Sequence, residues 1–164
     1  MCGIFLYVGN KLVNSIYFAY SNIQHRGPDY STIKSVKING SEKNVILGFH
    51  RLKIMDTSDN GNQPFSPKEY PDTHFICNGE IYNFKELKKN FDLKTTSDCD
   101  CEVIPYLYHT CGIMKTASLL DGVFSFALVD RDVLYVVRDP IGVRPLFYGK
   151  NENNEIMFAS ECKS

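Results

Sequence analysis

The sequence opens Met1-Cys2-Gly3, and a cysteine in second position can do chemistry that it cannot do elsewhere. Methionine is commonly removed when the next side chain is small. Cys2 would then carry a free α-amine beside its thiol. An α-amine with a pKa of about 7.7–8.0 can accept the thiol proton near neutrality, so nucleophile and base would share one residue. The plain alternative is that some small residue must stand second. A further set of soft ligands, Cys99, Cys101, His109 and Cys111, could hold zinc. Its spacing, C-x-C then H-x-C, lacks the paired C-x₂-C knuckles of ordinary zinc sites, and two of the four fall on an expected helix. These residues are therefore read without a metal.

Local patterning supplies the elements that must position such groups. "IFLYV" is a continuous apolar run, expected as a strand buried on both faces. Val13, Ile16, Tyr17, Tyr20 and Ile23 follow helical spacing up to "HRGPD". "STIKSVKI" and "NVILGFHRL" read as strands joined by the turn "NGSEKN" at 39–44. From Lys53 to Pro71 the chain reads as a long loop, and long loops are often functional. "THFIC" is expected as a strand ending at "NGE". Asn83 with Glu86 has the form of a capping box opening the helix "FKELKKNF". "CEVIPYLYHTCG" reads as a helix closing at Gly112, with Pro105 tolerated only in its first turn. "VFSFALVD" and "VLYVVRD" form a hairpin pattern, and "PLFYG" and "EIMFAS" flank a turn at "NENN". Many strands with about three helices favour an α+β fold.

Composition removes several function classes. The 164 residues suit one domain with a real core, and 43% hydrophobic with 23% charged residues is ordinary for a globular protein. A formal net charge of −1 offers no electrostatic footprint for nucleic acid or an anionic membrane. Apolar runs such as "VFSFALV" are far too short to span a bilayer, and no leader pattern is read, so a cytoplasmic location is expected. The six cysteines are then expected as thiols.

Four segments join Cys2: "HRGPD", "GFHRLKIMD", "CNGEIYN" and "RDPIGVRPL". Together they resemble the glutaminase domain of class II glutamine amidotransferases, in the asparagine synthetase form, from Met1 through "ASECK". The resemblance implies an N-terminal-nucleophile hydrolase fold: a four-layer αββα sandwich of two antiparallel sheets. It implies one glutaminase domain over 1–164, with a synthetase domain absent from this chain. The activity implied is hydrolysis of the L-glutamine side-chain amide to glutamate and ammonia through a cysteine thioester. By resemblance Cys2 is the nucleophile and its amine the base, while the Asn78 side chain and the Gly79 N–H form the oxyanion hole. A glycine at 79 is expected to let the backbone approach the substrate. Arg51 would clamp the α-carboxylate, since a guanidinium fork suits a planar carboxylate. Leu52, Lys53, Ile54 and Met55 would line the same pocket, partly through backbone groups. Glu80 and Asp100 would hold the α-ammonium group; Arg26, with Asp29 in the same "HRGPD" segment, would order the loop over Cys2. The "RDPIGVRPL" loop is expected to be held by Arg–Asp pairing.

Two departures limit the carry-over. "SDCDCEVI" offers two aspartates, and Asp100 is chosen over Asp98 because "D-C-E-V-I" stays intact. The synthetase half, where ATP and magnesium would act, is not in this chain, and no cofactor is expected in this domain. The ammonia would pass to a synthetase domain on the same or another chain. A phosphoribosyl-pyrophosphate amidotransferase glutaminase is the alternative enzyme, although "HRGQD" would be expected there. A silent glutamine-binding or partner-binding domain is the alternative outside catalysis.

Overall fold

The computed structural model describes residues 1–38 and 40–164; Asn39, the first residue of the expected 39–44 turn, lies outside them. The described residues form eight strands in two antiparallel sheets. The larger sheet has the order β2-β3-β1-β8-β7, built from β1 (Gly3–Gly9), β2 (Tyr30–Lys37), β3 (Asn44–Arg51), β7 (Phe147–Lys150) and β8 (Ile156–Ala159). The smaller has the order β4-β5-β6, from β4 (Thr73–Ile81), β5 (Gly122–Asp130) and β6 (Val133–Arg138).

Strand alternation explains the layering. Successive side chains point to opposite faces, so each sheet supplies two apolar surfaces. On β1 and β3, Ile4, Leu6, Val45, Leu47 and Phe49 meet Ile76, Ala127 and Val129 of the smaller sheet. The alternate residues Phe5, Tyr7 and Ile46 pack against Ile16 and Tyr20 of α1 (Val13–Ser21). On the far side of the smaller sheet, Phe75, Phe124, Phe126 and Leu128 meet Leu87 of α2 (Phe84–Asn90) and Val103, Ile104 and Leu107 of α3 (Val103–Cys111). Three apolar interlayers thus give four layers, αββα.

Four local expectations are corrected. Tyr17 is half-exposed, and Ile23 lies past the end of α1. β4 does not stop at "NGE": Asn78, Gly79 and Glu80 continue its ladder with Ser125, Phe124 and Val123 of β5. The Asn83 side chain makes no cap hydrogen bond. It donates from Nδ2 to the Leu119 carbonyl at 2.8 Å and accepts the Asp121 N–H at 3.1 Å, tying α2 to the approach of β5. A further helix, α4 (Ile113–Leu119), follows Gly112, whose φ of 78° lets the chain turn there without a Cβ penalty.

Candidate active site

The site is built on the free edge of β4. Phe124 turns its N–H to the Asp139 carboxylate at 3.2 Å and its carbonyl to the Asp139 N–H at 2.8 Å, away from β4. Its register partner Gly79 is therefore in a non-hydrogen-bonded pair, which directs the Gly79 N–H to the open edge. The flanking N–H groups on that edge are taken. Cys77 donates to Gln63 Oε1 at 2.6 Å, and Ile81 donates to Asp100 Oδ2 at 2.6 Å. No acceptor for the Gly79 N–H is found among the described residues. Beside it Asn78 is buried, and its Nδ2 has no hydrogen-bond partner among the described residues. Buried donors are normally satisfied, so two adjacent open ones mark a place where an oxygen can bind. Gly79 owes its identity to β5: a Cβ there would lie 2.8 Å from the Phe124 Cβ and the Val123 carbonyl.

Cys2 stands just before β1, packed against the core between the sheets. The Leu52 N–H approaches its sulfur at 3.4 Å, and the thiol lies 3.8 Å from the Leu52 carbonyl. Burial pushes the Cys2 thiol above its ordinary pKa, opposed by the Leu52 N–H, the positive chain terminus and Arg51. Such a thiol is protonated at neutral pH and needs a base to become a nucleophile. The Arg26 Nε donates to the Cys2 carbonyl at 3.0 Å.

A cleft opens over Cys2. Arg51, Leu52, Ile54, Met55, Gly79 and Glu80 line it. Lys53 does not: its N–H donates to Asp29 at 2.7 Å and its ammonium lies 3.4 Å from Asp59. Asp29 thus fastens the chain just after Arg51. Arg51 is buried and heavily engaged. Nη1 donates to the Ser58 carbonyl and Asn62 Oδ1, both at 2.7 Å, while Nη2 donates to the Met55 carbonyl at 3.1 Å and to the Asp56 carbonyl. It therefore folds the 55–62 loop against the cleft.

Asp100 lines the cleft floor and is buried, whereas Asp98 is exposed and donates its N–H to Asp56 at 2.9 Å. Burial raises the Asp100 pKa above the usual carboxylate range, against the N–H groups of Ile81 and Cys101. Glu102 holds the preceding turn in place, accepting the N–H of Thr96 at 2.9 Å and of Ser97 at 2.7 Å. Cys99 and Cys101 also line the cleft, but His109 lies elsewhere, bonded to Thr73 at 2.7 Å and stacked on Tyr70 at 3.6 Å. No group of three or more His, Cys, Asp or Glu is placed to hold a metal among the described residues.

The "RDPIGVRPL" loop is not held by Arg–Asp pairing. Asp139 accepts the N–H groups of Gly142 at 2.6 Å, Val143 at 2.9 Å and Arg144 at 3.1 Å. This nest brings Arg144 to the cleft mouth, where Nη2 meets Glu80 Oε1 at 2.5 Å and Nη1 meets the Met1 sulfur. Arg144 and Gln63 are parts of the site that the family motifs do not single out. Neither the Gln63-Pro64-Phe65 string nor the "RPL" of "RDPIGVRPL" announces a partner in space.

The αββα sandwich of two antiparallel sheets is the N-terminal-nucleophile hydrolase fold. The fold is shared with the allosteric regulatory enzyme of purine biosynthesis (TM-score 0.79, 21% identity, 99% of this chain and 42% of that one). It is also that of glutamine phosphoribosylpyrophosphate amidotransferase from B. subtilis (TM-score 0.71, 23% identity, 99% and 42%). Over residues 1–164 the chain belongs to the glutamine amidotransferase domain family. It is 40% identical to the glutamine-hydrolysing asparagine synthetase of Gallus gallus, covering 99% of this chain and 29% of that one. The Homo sapiens glutamine-hydrolysing asparagine synthetase is 39% identical over the same shares. The chain thus spans under a third of these relatives' length. No helix among the described residues is long and apolar enough to cross a membrane.

Proposed function

We propose that this domain hydrolyses the side-chain amide of L-glutamine and passes the ammonia to an asparagine synthetase domain. The observation that carries the reading is the open pair of donors on neighbouring residues of β4, Asn78 Nδ2 and the Gly79 N–H, with Gly79 lining the cleft that holds Cys2. With Met1 removed, the Cys2 amine takes the thiol proton and the sulfur attacks the amide carbon. The carbonyl oxygen becomes an oxyanion in the two donors' grasp, where one such hydrogen bond is worth about 3–4 kcal/mol in the barrier. The amine returns the proton to the departing nitrogen, releasing ammonia and leaving a thioester. It then deprotonates water, which cleaves the thioester to glutamate and restores the thiol.

Recognition of the amino-acid end falls to Asp100 and Glu80 for the α-ammonium group and to Arg51 for the α-carboxylate, which Arg51 takes up by exchanging a loop acceptor of its Nη groups for the substrate. The cleft wall at Leu52, Ile54 and Met55 supports the side chain. The asparagine context rests on relatives at 39–40% identity, against 21–23% for the two solved structures that share the fold. The test is direct. Chain beginning at Cys2 should convert glutamine to glutamate and ammonia, and should form no asparagine from aspartate and ATP. Absence of glutaminase activity from such chain, alone and with a synthetase domain added, would sink the reading.

A further inference from the structure

Cys2 lies outside the strand ladder, which begins at Gly3 paired with His50. Once Met1 is gone, nothing upstream holds it. Among the described residues, the bond from Arg26 Nε at 3.0 Å is the only hydrogen bond to the Cys2 backbone. Arg26 is itself held from the opposite end of the sequence. Its Nη1 donates to Glu161 Oε1 at 3.1 Å, and Glu161 is its acidic partner among the described residues. The Arg26 side chain is 9% exposed and its Nη2 has no partner among the described residues, so Glu161 is what offsets a buried guanidinium charge. Glu161 also receives His25 Nε2 at 2.9 Å and Lys163 Nζ at 3.2 Å. The neighbouring Ser160 completes the hold: its hydroxyl accepts the Ile4 N–H at 3.0 Å and its own N–H donates to the Ile4 carbonyl at 3.0 Å.

We propose that Glu161, acting through Arg26, is a positioning residue that sets where Cys2 stands in the cleft. The proposal rests on the reading of Cys2 as the nucleophile. Removing the carboxylate leaves the guanidinium buried without a counter-charge, and such a side chain turns toward water rather than stay unpaired. The Cys2 carbonyl then loses its one tether. A nucleophile misplaced by about 1 Å can cost about 100-fold in rate, while a substrate held by Arg51 and Asp100 still binds.

The experiment compares Glu161→Gln, Glu161→Asp and Arg26→Ala, each alone and Glu161→Gln combined with Arg26→Ala, in chain beginning at Cys2. Glu161→Gln should lower kcat at least tenfold with KM for glutamine within twofold of wild type. It should slow inactivation by a diazoketone analogue of glutamine to a similar degree, with circular dichroism and Tm near wild type. Glu161→Asp keeps the charge and should fall between the two; it carries the test if the amide variant does not fold. Added to Arg26→Ala, Glu161→Gln should cost no more than a further twofold. A kcat within twofold of wild type, a raised KM at unchanged kcat, or full additivity with Arg26→Ala would each overturn the assignment. Wild-type chain that neither hydrolyses glutamine nor labels at Cys2 would instead overturn the underlying reading of the site.

Discussion

Gly61 sits against the Arg51 guanidinium so closely that a Cβ built on it would overlap Nη2. The two residues are ten apart in sequence, and between them the chain loops out and back, with Arg51 donating to carbonyls along the way. Arg51 is thus at once a wall of the cleft and the post around which the 55–62 loop is folded. Arg51→Ala should raise KM for glutamine at least tenfold and make that loop a site of limited proteolysis. Arg51→Lys should resemble the alanine variant, because an ammonium cannot span acceptors set in a planar fork. Gly61→Ala should also raise KM while leaving Cys2 labelling intact. Near-wild-type KM in all three would remove Arg51 from substrate recognition.

Asp100 and Asp98 separate cleanly. Asp100 is buried on the cleft floor, bonded to Ile81, while Asp98 is exposed outside it. Asp100→Asn should raise KM at least tenfold, and Asp98→Asn should stay within twofold. Because burial holds the Asp100 pKa above the usual carboxylate range, KM should climb on acidification sooner than an exposed aspartate would cause, near pH 4. A KM flat down to pH 4.5 would count against this.

Asn78→Ala deletes one of the two open donors. The expected loss is about 100- to 1000-fold in kcat with little change in KM, since the bond is made to the oxyanion. A change confined to KM would mean that Asn78 serves binding. Gly79→Ala is the wrong probe, because its Cβ collides with Phe124 and tests the sheet instead.

His50 gives the fold an acid-sensitive point. It is buried, stacked on Tyr20 at 4.1 Å, with its ring nitrogens bonded to Ser31 Oγ at 2.7 Å and the Tyr20 carbonyl at 3.0 Å. Burial lowers its pKa, against the bond to Tyr20 and with a small push from His25. Below pH about 6.5 the unfolded chain binds a proton that the folded site resists, so stability is lost as pH falls through that value toward the depressed folded pKa. His74 and His109 are lowered by burial too and act in the same sense. Urea midpoints should therefore drop between pH 7.5 and 5.5, and His50→Asn should flatten part of that drop. Parallel profiles for wild type and variant would refute the assignment to His50.

A free N-terminus should be indispensable. Mass spectrometry of active chain should show Cys2 first, since Met1 would turn the base into an amide nitrogen. A tag left ahead of Met1, Cys2→Ala and Cys2→Ser should each abolish or nearly abolish hydrolysis with the fold intact. The diazoketone analogue should label Cys2 alone. Burial pushes up the Cys77 thiol; hydrogen bonding between neighbours, with burial, pushes up those of Cys99 and Cys101. Full activity in chain that retains Met1 would rule out the amine as base.

Much of this molecule was legible in the linear chain. The apolar run after Cys2 and the period-2 hairpin identify strands, because alternation and turn chemistry are local properties, while the motifs from "HRGPD" to "RDPIGVRPL" carry the resemblance to the family and, through it, the αββα fold. The same strings could not say that "NGE" stays in the ladder. That depends on β5 supplying Phe124 opposite Gly79, and on Asp139 turning the Phe124 backbone away. Nor could they say that Gln63 and Asp100 would fill the two neighbouring edge positions and leave Gly79 open between them. Arg144 and Glu161 carry the same lesson at longer range: their partners, Glu80 and Arg26, lie 64 and 135 residues away. Propensity acts over a few residues, whereas a hydrogen bond selects whatever acceptor the packed sheets bring within about 3 Å. Residue types and order determined which chemistry was possible; strand register and the meeting of the chain's two ends decided where its donors, acids and thiol stand.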